Sequence, residues 1–90
     1  ALMKIKSGFL LKVIAGSFVV VPVGGDLVDF SSMITINETG AFLWKLLENG
    51  TDEEEMCQKV LSEYEGISHE DAMGDIKDFV AALKENNILE

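Results

Sequence analysis

The sequence predicts an α+β domain, with a small antiparallel sheet in its first half and three helices in its second. Three observations carry that prediction. β-branched and apolar runs broken by glycine-bearing turns extend to Ile36 and then stop. Apolar residues at helical spacing follow directly, in three segments that each begin at a residue type that caps helices. The chain has 90 residues, enough for one domain spanning 1–90, and 48% of them are hydrophobic, which supports a core and argues against disorder.

The strands come first. Phe9 to Ile14 alternates imperfectly, and residues 18–23 are almost wholly apolar. Ala15-Gly16 between them supplies a short turn, so the pair reads as a hairpin. Pro22 has no N–H to give to a ladder, which predicts a strand end or an edge for it. Gly24-Gly25-Asp26 makes the next turn. Residues 27–30 extend the sheet, Ser31-Ser32 interrupts it, and residues 33–36 resume it. The expectation is three main strands, the third bent or bulged near Ser31-Ser32. One face packs on the helices and the other is only half covered.

The helices follow without a linker. Asn37 is placed to cap a helix over Glu38 to Glu48, because its side-chain oxygen can accept from an orphaned backbone N–H. Ile36 and Ala41 flank that cap as a hydrophobic staple. Leu43, Trp44 and Leu47 form the inward stripe, with Gly40 packing closely. Gly50 ends the helix in the left-handed conformation that helix C-termini favour. Thr51-Asp52-Glu53-Glu54 reads as a capping box for the second helix, whose apolar stripe is Met56, Cys57, Val60, Leu61 and Tyr64. Gly66 closes it. Ser68-His69-Glu70-Asp71 opens the third helix, whose buried stripe is Ala72, Ile76, Phe79, Val80 and Leu83. Asn86-Asn87 ends it, and Ile88-Leu89 folds back on the core. Three helices joined by short turns beside a hairpin resemble a winged helix-turn-helix with the sheet placed N-terminally.

Composition narrows the function. The formal net charge is −9 and there is no arginine. Residues 46–90 carry three lysines against thirteen acids, so the helical half would repel a nucleic-acid duplex or an anionic membrane. No apolar run approaches the roughly 20 residues of a membrane span, and the opening residues make no signal peptide. A single cysteine cannot form an internal disulfide, which with the missing signal peptide predicts a cytoplasmic location. Catalysis lacks its parts. His69 falls on an exposed first turn and Cys57 on an apolar stripe, so neither has the partners that a nucleophile or a zinc site requires. The acids 52–55 lack the alternating ligands and glycine of a calcium loop. Neither a catalytic residue, a cofactor nor a metal is expected.

Surfaces remain. A small sheet has edges, and an edge strand presents unpaired N–H and C=O groups that an extended peptide can complete. The strand that leads into the first helix is the candidate edge. The third helix can lie beside it, with Phe79, Val80 and Leu83 as an apolar floor, although most of that stripe also reads as plain core.

The run Met33-Ile34-Thr35-Ile36-Asn37-Glu38-Thr39-Gly40-Ala41-Phe42-Leu43-Trp44-Lys45-Leu46-Leu47 resembles the PqqD-like proteins, named for pyrroloquinoline quinone synthesis protein D. So do Gly50-Thr51, Glu63-Tyr64-Glu65-Gly66 and the closing Leu83-Lys84-Glu85 to Ile88-Leu89. The likeness runs from about Phe9 to the end of the chain. It implies a winged helix-turn-helix with an N-terminal three-stranded sheet. It also implies a peptide chaperone that binds the leader of a ribosomally made precursor peptide as an added strand. Such proteins deliver the leader to a modifying enzyme, commonly a radical S-adenosylmethionine enzyme. Carried onto this chain, the leader would pair near Ser32, Met33, Ile34, Thr35 and Ile36 and lie against Asp75, Ile76, Phe79, Val80 and Leu83. Asn37 and Glu38 match the family motif in a structural role. One departure is the stretch 24–32, which is longer than a simple hairpin needs and long enough to cover that edge. The acidic helical half predicts a leader that is not strongly acidic. Two rival readings are a winged-helix DNA-binding regulator and a structural subunit that uses the same edge to form a homodimer.

Overall fold

The computed structural model describes residues 2–24, 27–28 and 34–90. Strands β1 (Phe9–Ile14), β2 (Ser17–Gly24), β3 (Leu27–Val28) and β4 (Ile34–Ile36) precede helices α1 (Glu38–Glu48), α2 (Glu53–Glu63) and α3 (His69–Glu85). The α+β order with strands first is the one expected. All strand pairings are antiparallel.

β2 is the central strand. β1 lies along one edge, from Ile14↔Ser17 to Phe9↔Pro22. The turn between them holds Ala15 at φ 51° and Gly16 at φ 80°, the paired left-handed conformation whose twist suits a two-residue hairpin. β4 takes the other edge, with Phe18↔Ile36 and Val20↔Ile34 in register. Val23 N–H bonds the carbonyl of Gly8 at 2.7 Å, so the β1 side continues to Gly8. β3, which pairs Val23↔Val28, therefore sits on the β4 side. The third strand is thus divided into β3 and β4 along one edge of β2, as expected in outline. The proposed break at Ser31-Ser32, the rest of the extension (Asp29, Phe30) and the turn residues Gly25 and Asp26 lie outside the described residues.

Pro22 departs from expectation: it occupies the interior of the central strand rather than an end or an edge. Alternation explains how it fits. Val23 aims its N–H at β1, so the nitrogen of Pro22 faces the other side. On that side the described pairs stop at Val20 and resume at Val23, so no described ladder bond needs the missing donor.

The core lies between one sheet face and the helices. Val20, Leu43, Trp44, Leu47, Met56, Cys57, Val60, Ala72, Ile76, Val80 and Leu83 form it, with Phe9, Leu11, Ile34 and Ile36 packed against it. The opposite face is half covered: Val19 and Val21 are buried, whereas Leu10 and Ile14 are exposed.

Local chemistry sets the helix starts. Asn37 Oδ1 accepts from Gly40 N at 2.7 Å, and Ser68 Oγ accepts from Asp71 N at 3.1 Å. The second cap differs from the capping box. Asp52, not Thr51, is the N-cap, accepting from Glu55 N at 2.7 Å. Thr51 is instead buried, and its hydroxyl donates to Glu55 Oε1. Gly50 and Gly66 both adopt the left-handed conformation after their helices.

An N-terminal segment without periodic pattern ties the fold together. Met3 bridges Thr51 in the α1–α2 turn, and Ile5 bridges Leu89 in the C-terminal tail. Ile5 N–H also bonds Leu47 O, and Lys6 N–H bonds Ile88 O. Ile88 and Leu89 are buried, so the tail folds back on the core as predicted.

Candidate functional site

The site begins with the backbone of β4. Alternate residues of a strand aim their polar groups at opposite neighbours. Phe18 and Val20 aim theirs at β4 and meet Ile36 and Ile34. Thr35, between those two, turns its N–H and C=O away from β2. No backbone bond among the described residues occupies them. Ile34 and Ile36 point into the domain, and Thr35 is exposed.

α3 supplies the opposite wall. Its core stripe is Ala72, Ile76, Val80 and Leu83. A second stripe (Asp75, Phe79, Ala82, Asn86) runs beside the first at the same helical spacing, turned by about 100° because it is offset by one residue. Between that stripe and β4 lies a cleft of about 250 Å³. Its walls are Ile34, Thr35, Ile36 and Asn37 on one side and Phe79, Ala82, Leu83 and Asn86 on the other.

A second hollow of about 340 Å³ continues past Asn37 and Phe79. Thr39, Gly40, Leu43, Asp75 and Asp78 complete its lining. Gly40 makes the junction. A Cβ there would come within 3.2 Å of Phe79 Cε1, Ile36 Cβ and Asn37 Oδ1. Its absence lets the Phe79 ring approach the end of β4 and brace strand against helix.

Of the residues expected at a peptide site, Ile34, Thr35, Ile36, Phe79 and Leu83 line the cleft, and Asp75 lines the adjoining hollow. Ile76 and Val80 are core, exposed by only 1% and 3%. Ser32 and Met33 lie outside the described residues, as does most of the 24–32 stretch that was expected to be able to cover the edge. Sequence reasoning missed Asn37, Ala82 and Asn86 as walls of the cleft, and Asp78 in the adjoining hollow. Continuing the spacing from Asp75 and Phe79 along α3 would have found Ala82 and Asn86.

Cys57 is buried in the core, where desolvation, and then the charge of Glu54, push its thiol pKa up. Among the described residues no group of three or more His, Cys, Asp or Glu converges as a metal site. No described helix is long and apolar enough to cross a membrane. What the site offers is an edge strand beside an apolar helix wall.

Comparison with known proteins bears on the family and the fold. Residues 18–89 match the family model described as Coenzyme PQQ synthesis protein D (PqqD). Two solved structures share the fold. One is TbiB1 in complex with the TbiA(beta) leader peptide, at 24% identity and a TM-score of 0.73, covering 97% of this chain and 94% of that one. The other is lasso peptide synthetase B1 complexed with the leader peptide, at 23% identity and a TM-score of 0.75, covering 100% of this chain and 99% of that one. Among curated proteins no sequence matches.

Proposed function

This chain belongs to the PqqD family, and from that premise we propose that it is a non-catalytic recognition protein for the leader of a ribosomally synthesised precursor peptide. The leader adds as a strand to the outer edge of β4 and lays alternate side chains into the cleft against α3. The observation that carries this reading is Thr35, whose backbone polar groups face outward beside an apolar wall. Main-chain bonds supply affinity there and the cleft supplies selectivity. Both solved neighbours hold leader peptides, which supports the same ligand here.

Holding the leader presents the rest of the precursor to a modifying enzyme at high effective concentration. The family resemblance favours a radical S-adenosylmethionine enzyme in the cytoplasm. One neighbour, lasso peptide synthetase B1, favours a second reading for the partner only, a lasso-type synthetase. Nucleic acid is not the ligand, because the helical half carries ten more acids than lysines. A homodimer through the β4 edge would compete with the leader for Thr35.

Thr35→Pro tests the reading. Its N–H serves no described ladder bond, so the fold tolerates the change as edge prolines are tolerated. The variant loses one hydrogen bond to the guest strand, worth about 0.5–1.5 kcal/mol or roughly two- to thirteenfold in affinity. The probe is a fluorescently labelled precursor leader that binds the unaltered chain, titrated with anisotropy as readout. Unchanged affinity in a folded Thr35→Pro protein contradicts strand addition at β4.

A further inference from the structure

Resting on that reading, we infer that the hollow beyond Phe79 is a pocket for a basic side chain, lysine or arginine, of the bound peptide. It opens from the β4 cleft at Asn37 and Phe79, residues common to both spaces. A peptide that pairs with Thr35 and runs on past Ile36 passes over it. The pocket is two-sided in character. Leu43 and Phe79 give an apolar wall for the stem of a long side chain, and Asp75 and Asp78 give anionic groups for its head.

Asp75 and Asp78 are three residues apart on α3, so they share a face, and two like charges at that spacing repel each other and weaken the helix. They are exposed. The side-chain hydrogen bonds that end on carboxylates among the described residues go to Asp52, Glu54 and Glu55 instead. A cation between Asp75 and Asp78 relieves their repulsion, and the acidic helical half draws it in. The same field turns away an acidic leader, so this pocket gives the charge preference a definite place.

The test uses a display library of randomised dodecapeptides, panned on the whole chain. Only binders that Thr35→Pro weakens are kept. Lysine or arginine is expected at one position, at fixed spacing from the apolar positions. Panning on Asp75→Asn/Asp78→Asn is expected to keep the apolar positions and lose the basic one. A selected peptide should bind this double variant about tenfold more weakly than it binds the unaltered chain. Replacing its basic residue by alanine should cost nothing further there. Both substitutions lie on the exposed surface, and matching thermal melts establish that the variant is folded. Edge-dependent binders with no basic preference overturn the pocket and leave the proposed function standing. So does an equal loss on the double variant for peptides with and without the basic residue. A library that yields no binder sensitive to Thr35→Pro overturns the proposed function, and the pocket with it.

Discussion

Ala15 holds a φ of 51° in the β1–β2 turn, a conformation that a Cβ disfavours by about 1–2 kcal/mol. Asn tolerates it and, before Gly16, completes the dipeptide that two-residue hairpins prefer. Ala15→Asn is expected to raise stability by about 0.5–1 kcal/mol in urea unfolding, and a loss would contradict the turn geometry. Cys57 makes a second prediction. Burial first, and Glu54 second, raise its pKa in the fold. A thiol whose folded pKa exceeds its unfolded one contributes fully below the unfolded value and loses that contribution as pH rises. The urea midpoint should therefore hold steady below the ordinary thiol pKa of about 8.5 and decline above it. Cys57→Ala should flatten the decline, and an equal decline in that variant would contradict the assignment. Single residues were legible wherever their role is local. Asn37, Gly50 and Ser68 act within a few positions of themselves, and each was readable from its neighbours. Thr51 was not, because its backbone pairs with Met3, a contact that local spacing cannot reveal.

At the scale of elements, α3 separates what patterning shows from what it hides. Helical spacing located the helix and its apolar side, but five apolar residues were read as one stripe. The structure divides that stripe. Ile76 and Val80 face the core, whereas Phe79, half-buried, faces β4 and belongs to a row continued by Ala82 and Asn86. Only the packed position of β4 decides which row is core and which is cleft. The division predicts opposite behaviour for two truncations. Ile76→Ala should cost about 2–5 kcal/mol of stability and leave leader affinity of the folded fraction unchanged. Phe79→Ala should weaken leader binding roughly tenfold, as loss of about 1.4 kcal/mol of contact does, with a smaller loss of stability. Unfolding and binding curves of the two variants check this, and equal effects on both properties would contradict it. β2 teaches the same lesson through Pro22. Its missing N–H suggested a strand end or an edge, yet a proline fits a central strand where the neighbouring register is interrupted.

The whole molecule is held by contacts that no local pattern announces. Residues 3–6 join the α1–α2 turn to the C-terminal tail, so the N-terminal segment ties the helices to the last residues of the chain. Strand order, helix order and the ends of the helices were legible, because each follows from periodicity and capping. The closure by the N-terminus was not, since Met3 and Ile5 are too few to make a period. Among the described residues the sheet has two outer edges. β1 aims the backbone N–H and C=O of Leu11 and Val13 outward, because those of Leu10 and Lys12 face Val21 and Val19 on β2. β4 aims Thr35 outward beside the helix wall. The guest strand is proposed to add to the second edge, and amide hydrogen exchange with and without the leader reads the choice directly. Protection of Thr35 on binding, with Leu11 and Val13 unchanged, is the expected result. Protection of Leu11 and Val13 with Thr35 still exchanging freely would contradict it.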